Sequence, residues 1–135
     1  RAQIGKAMEK FMERAPREIG AALPMHKGRA DFRVPVEKRE MALRYARLVT
    51  GSRIFAAAAS FGAKQHATSD ELCGLLKRYN EDMLKALKAE PRNETGTSQF
   101  QFCTEMTTIL FSEEEAELLR RRARAHTSRP MERPS

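Results

Sequence analysis

Between Pro35 and Gly62 the chain holds no proline after its first residue, and its apolar side chains recur at helical intervals. Met41, Tyr45, Leu48, Ser52, Phe55 and Ala59 fall on one face of a helix. Pro35 suits the first helical position, where its missing N–H costs nothing, and Glu37 follows in the first turn, where the helix dipole favours an anion. The stretch therefore predicts one long helix. Its first half carries Lys38, Arg39, Glu40, Arg44, Arg47 and Arg53, mostly off the apolar face. Its second half, Ile54 to Ala63, is uncharged and rich in alanine. That half is expected to be buried, with another part of the chain in close approach.

On either side of this helix the pattern stays helical. Ile4, Met8, Phe11, Met12 and Ala15 form an amphipathic stripe over residues 2–15, which Pro16 is expected to interrupt or kink. The segment from Pro24 to Pro35 mixes Gly28, Asp31 and scattered apolar residues with basic ones, and reads as an outward-reaching loop. After a short link, Ala63 to Thr68, Ser69-Asp70-Glu71 reads as a helix start. Leu72, Leu75, Leu76, Tyr79, Met83 and Leu87 then give the strongest stripe in the chain, ending near Ala89 because Pro91 blocks continuation. A short link between two long helices predicts an antiparallel hairpin.

Residues 91–98 read as a polar link. Gln99 to Phe111 fits helix better than strand, through Phe102, Cys103, Met106, Ile109 and Leu110. Ser112 followed by Glu115 is a capping box that opens a last helix, with acids early and arginines late. The predicted fold is thus all-α: a central antiparallel helical hairpin, a flanking N-terminal helix, and one or two C-terminal helices. Residues 1–126 form one domain and 127–135 an extended Pro/Arg tail.

Charge is distributed unevenly. Of the net +7, residues 1–64 carry +8, from 14 basic and 6 acidic side chains, while 65–112 carry −2 and 113–135 carry +1. Seventeen of the 25 basic residues are arginine, the side chain best suited to bidentate phosphate or carboxylate contacts. Two groups stand out as candidates for binding RNA phosphate or an acidic partner. The first is Lys27, Arg29, Arg33, Lys38, Arg39, Arg44 and Arg47; the second is Arg120, Arg121, Arg122, Arg124, Arg129 and Arg133.

Chemistry-bearing motifs are missing from the sequence. His26, His66 and His126 lie far apart, and no paired metal spacing, phosphate loop or nucleophile elbow occurs. Cys73 and Cys103 each sit on an apolar stripe and read as buried reduced thiols, which points weakly to an intracellular setting. Asn93-Glu94-Thr95 matches the glycosylation triplet, which matters only in a secretory context. No apolar run is long enough for a membrane span. Arg1 in place of Met reads as the mark of a cleaved or trimmed product.

The expectation is a non-enzymatic subunit of a large assembly, with no cofactor and no metal. Its partners would be other protein subunits or RNA, as in an organellar ribosome of the mitochondrial matrix. Two alternatives share the same features. One is an accessory subunit of a protein-only mitochondrial membrane complex, respiratory or ATP synthase. The other is a free-standing helical regulator or adaptor that binds nucleic acid or a partner helix.

Overall fold

The computed structural model describes the backbone of residues 2–128 and the side chains of residues 3–125. Within these bounds the chain is all-α apart from one small hairpin. Helix α1 spans Ala2–Gly20, α2 Val36–Gly51, α3 Arg53–Ala56, α4 Gly62–Ala89, α5 Glu94–Leu110 and α6 Glu113–Ser128. Strands β1 (Met25–His26) and β2 (Arg29–Ala30) pair antiparallel between α1 and α2.

Helix α1 runs through Pro16 without a break. An internal proline removes one hydrogen bond and costs about 3 kcal/mol. Here Met12, Ala15 and Ile19 on one stripe are fully buried, spanning the proline on both sides. Burying such side chains stabilises by about 1.5–3 kcal/mol for each large one, enough to hold the helix together.

The long helix expected from Pro35 to Gly62 is divided. Pro35 is the N-cap and not the first helical residue, and α2 ends at Gly51. The break has a cause in side-chain chemistry. The Ser52 hydroxyl donates to the Val49 carbonyl at 2.9 Å, and the Gln65 amide donates to the same oxygen at 3.0 Å. Beyond α3 the chain reverses in a Schellman arrangement: Phe61 N–H donates to Ala56 O at 2.9 Å and Ser60 N–H to Ala57 O at 3.2 Å. Ser60 takes the left-handed conformation that this motif requires, with φ 67°.

The reversal corrects two further expectations. The segment after Ile54 is not buried, since only Ala56 and Phe61 of residues 54–61 are in the core. Helix α4 begins at Gly62, so residues 63–68 are its first turns and not a link, and Ser69 lies inside it. Ala63, Lys64, Gln65 and Ala67 are good helix formers, so the helix extends back until the turn stops it. The close approach expected at the alanines does exist: Gly5 of α1 lies against the carbonyl of Ala59.

Helices α2 and α4 run antiparallel, as the bonds between them and their flanks show. Val49 near the end of α2 meets Gln65 near the start of α4, and Asp31 just before α2 meets Tyr79 late in α4. Each packs more extensively on its other neighbours, since α1 and α5 both lie against the pair. The Phe11 and Tyr45 rings stack at 4.3 Å between α1 and α2. One large core joins α1 to α5, centred on Met12, Ile19, Leu72, Leu76, Met83 and Met106. A smaller cluster of Leu84, Leu119 and Ala123 docks α6 on α4.

Residues 99–110 are helical, and α5 begins earlier than expected, at Glu94. The Asn93 side chain caps it, accepting from Gly96 N–H at 3.1 Å. The glycosylation triplet is therefore the opening turn of a helix. At α6, Ser112 Oγ accepts from Glu115 N–H at 3.1 Å, the expected cap.

Candidate interaction surfaces

The segment Pro24–Pro35 is held against the body and does not reach outward. Lys27 and Gly28 form the hairpin tip, both with positive φ (53° and 77°), which suits a two-residue turn between antiparallel strands. Beyond it Ala30, Phe32 and Val34 alternate into the core. Phe32 lies over Gly96, whose missing side chain makes room for the ring.

A buried polar network fixes this segment. Gln99 Nε2 donates to Ala22 O at 2.9 Å and to Tyr79 Oη at 3.1 Å. The Tyr79 hydroxyl in turn donates to Asp31 O at 2.9 Å. Arg39 donates from Nε to Gln99 Oε1 at 2.9 Å and from a terminal nitrogen to Phe32 O at 3.4 Å. Burial pushes the Tyr79 hydroxyl well above its ordinary range, so it stays protonated and remains a donor. Gln99 and Tyr79 were hidden inside apolar stripes; the sole signal was a glutamine at a core position.

Arg39 is thus engaged within the fold. Arg33 is also paired, with Asp31, by bonds of 3.1 and 3.3 Å, and this partner holds the Asp31 carboxyl below its usual range. Lys27, Arg29, Lys38, Arg44 and Arg47 are exposed. Among the described residues none of these five forms an ion pair.

The second basic group faces its own carboxylates. Arg122 makes a two-pronged contact with Glu81 at 2.6 and 2.7 Å. Arg120 bridges Glu113 (2.9 Å) and Glu117 (3.3 Å), Arg121 reaches Glu117 at 3.6 Å, and Arg124 reaches Glu117 at 3.2 Å. These arginines hold Glu81, Glu113 and Glu117 below the ordinary carboxylate range. Of the expected tail 127–135, Thr127 and Ser128 close α6 and are not extended, and the remainder, with Arg129 and Arg133, lies outside the described residues.

The most unusual surface is the outer face of α2 and α3. Ala42, Ala46 and Val49 take the core positions of α2, while the larger Met41 and Leu48 each keep 41% of their surface exposed. Ile54 is 93% and Phe55 45% exposed on α3. Of the apolar stripe noted in the sequence, only Ser52 is fully buried, and Tyr45 and Ala59 are half-buried. Met41, Arg44 and Leu48 follow one line along α2, with Arg47 beside them and Arg53 exposed at the start of α3.

Groups with reactive potential are dispersed. Burial pushes both thiols above their ordinary range, that of the fully buried Cys103 the further. His66 meets Asp70 at 3.4 Å on an exposed face of α4. Among the described residues no group of three or more His, Cys, Asp or Glu side chains is placed to hold a metal ion. No described helix is long and apolar enough to cross a membrane. No family model, no curated protein and no solved structure matches the chain.

Proposed function

We propose that this protein is a non-enzymatic binding subunit of a larger assembly, and that it docks through the outer face of α2 and α3 onto an acidic, partly apolar surface of a partner protein. The observation that carries this reading is the inversion on α2 and α3. Small alanines fill the core while Met41, Leu48, Ile54 and Phe55 stay at the surface. Methionine, aromatic and arginine side chains together are the composition favoured at protein interfaces. Arg44, Arg47 and Arg53 supply cations to this face and have no internal ion pair among the described residues. The carboxylates of α6 and α4 satisfy Arg120, Arg121 and Arg122, so that surface offers less to RNA phosphate than its sequence suggests.

The test is site-specific photo-crosslinking of the full chain in its native cells, with the reactive group at Leu48 or Ile54 and, as a control, at the exposed Glu71 of α4. A discrete protein adduct from Leu48 and Ile54, lost in Arg44→Glu/Arg47→Glu, supports the reading. Adducts with RNA in its place would move the protein to a ribonucleoprotein. Labelling at Leu48 no stronger than at Glu71 would discard the docking face.

A further inference from the structure

Helix α1 lies beside the docking face and runs antiparallel to α2. Gly5, near its start, meets Ala59 beyond the end of α2, while Ala22, just past its end, and Arg39, early in α2, meet at Gln99. Two packed helices leave a furrow between them on their outer side. The half-buried, stacked rings of Phe11 and Tyr45 form its floor. Ile4 and Ala7 continue the α1 side of it at helical spacing from Phe11, and Met41 and Leu48 continue the α2 side from Tyr45. All four are exposed, Ile4 to 57%. From Met41 to Leu48 the trough runs for about 10.5 Å, or two helical turns.

The two banks carry the same charge. Arg14 follows Phe11 on the α1 row, with Lys10 one turn before it, and Arg44 and Arg47 lie along the outer edge of α2. These cations are exposed, and none has an ion pair among the described residues. Glu9 and Glu13 fall on the edge of α1 away from α2. Glu18, Glu37 and Glu40 gather at the end where α1 finishes and α2 begins, which leaves the middle of the furrow cationic on both sides.

An apolar trough between two cationic banks is the complement of one helix, apolar along a stripe and acidic on both shoulders. Two copies meeting here face to face would set Arg14, Arg44 and Arg47 against each other. Residues 129–135 hold two prolines and two arginines against one glutamate, so those residues are not that helix. A flat bilayer would touch the banks and miss the floor. Resting on the reading that α2 and α3 form a docking face, we infer that the partner presents an acidic amphipathic α-helix to this protein. It lies in the furrow between α1 and α2, with apolar side chains over Phe11 and Tyr45 and carboxylates against Arg14 and Arg44.

The probe is a stapled helix of about 18 residues with leucine at the a and d positions of the heptad and glutamate at e and g, compared with the same helix carrying lysine at e and g. Titrated into the isotope-labelled full chain, the glutamate helix should saturably shift the amide signals of Ala7, Phe11, Tyr45 and Leu48 together. Arg14→Glu/Arg44→Glu, both at exposed positions, should weaken it about tenfold and make the lysine helix the tighter of the two, with the helical circular dichroism unchanged. Ala7→Glu should weaken the glutamate helix as well. Equal affinity of the parent for the two helices, no saturable shift at millimolar peptide, or binding undiminished in the double variant would each overturn the inference. Binding to phosphatidylserine vesicles in place of the peptide would assign the furrow to a membrane and overturn it too. Shifts at Leu48 and Ile54 with Ala7 and Phe11 unmoved would overturn the furrow alone; the docking face itself falls only if Leu48 crosslinks no more than Glu71.

Discussion

Replacing Gly96 by alanine sets two effects of opposite sign against each other. Gly96 lies in the first turn of α5, where alanine is favoured over glycine by up to about 1 kcal/mol of helix propensity. A Cβ there would meet Phe32 Cε2 at 2.8 Å, Phe32 Cδ2 at 3.0 Å and Leu87 Cδ2 at 3.1 Å. The Phe32 ring is buried, and the bond from Tyr79 to the neighbouring Asp31 carbonyl holds its backbone. Overpacking at such a site costs about 1–3 kcal/mol, so the clash wins and the net loss is about 1–2 kcal/mol. Gly74, in the interior of α4, is the control: its Cβ would meet only the flexible end of Arg78 at 3.5 Å, so alanine gains the full propensity term. For 135 residues the unfolding entropy is about 0.28 kcal/mol/K, so each kcal/mol moves Tm by about 3.5 °C. Thermal melts followed at 222 nm should then show Gly74→Ala about 3 °C above the parent and Gly96→Ala about 4–7 °C below it. In a Phe32→Leu background the penalty of Gly96→Ala should shrink. A Gly96→Ala protein as stable as Gly74→Ala would refute the docking of residues 31–34 on α5.

Three other outcomes are expected. Tyr79→Phe removes the donor to Asp31 O and one acceptor for Gln99, and should cost about 2 kcal/mol, read as a fall in Tm of about 7 °C; an unchanged Tm would show that the network is not formed in solution. Ser60→Gly relieves a left-handed serine at the helix-terminating turn and should raise the urea midpoint, by about 1 kcal/mol of stability, whereas Ser60→Val should lower it. Asp31, Glu81, Glu113 and Glu117 titrate below the ordinary carboxylate range when folded, so on acidification the unfolded chain binds protons first. Their stabilisation is complete above about pH 5 and lost as pH falls through about 4 and below, so Tm should drop across that window, less steeply in Glu81→Gln/Glu117→Gln.

The helical class, the strong stripe of α4, the Ser112 cap and the helical form of residues 99–110 were legible because each rests on local periodicity or capping. What escaped the sequence was decided by partners distant along the chain. Pro16 looks like a stop until Ile19 and Ala22 are seen buried beside Met12. The end of α2 is set by Gln65, sixteen residues on, reaching back to Val49 O. Arg39 reads as one more surface cation, yet Gln99, sixty residues away, claims it. The apolar face of Met41, Tyr45 and Leu48 was legible, and the burial expected beyond Ile54 failed, because periodicity reports that a face exists and not which neighbour covers it. Likewise, Arg120 to Arg124 looked available until Glu81 and Glu117 were found beside them.

The bonds around Gln99 and Tyr79 draw together the end of α1, the hairpin segment, α2, α4 and α5, whereas α6 is joined through Leu84, Leu119, Ala123 and the Glu81–Arg122 pair. Amide exchange should therefore divide the molecule in two. Protons in α1, α2, α4 and α5 would be released together in one rare global event, and those of α6 far more often, as it detaches alone.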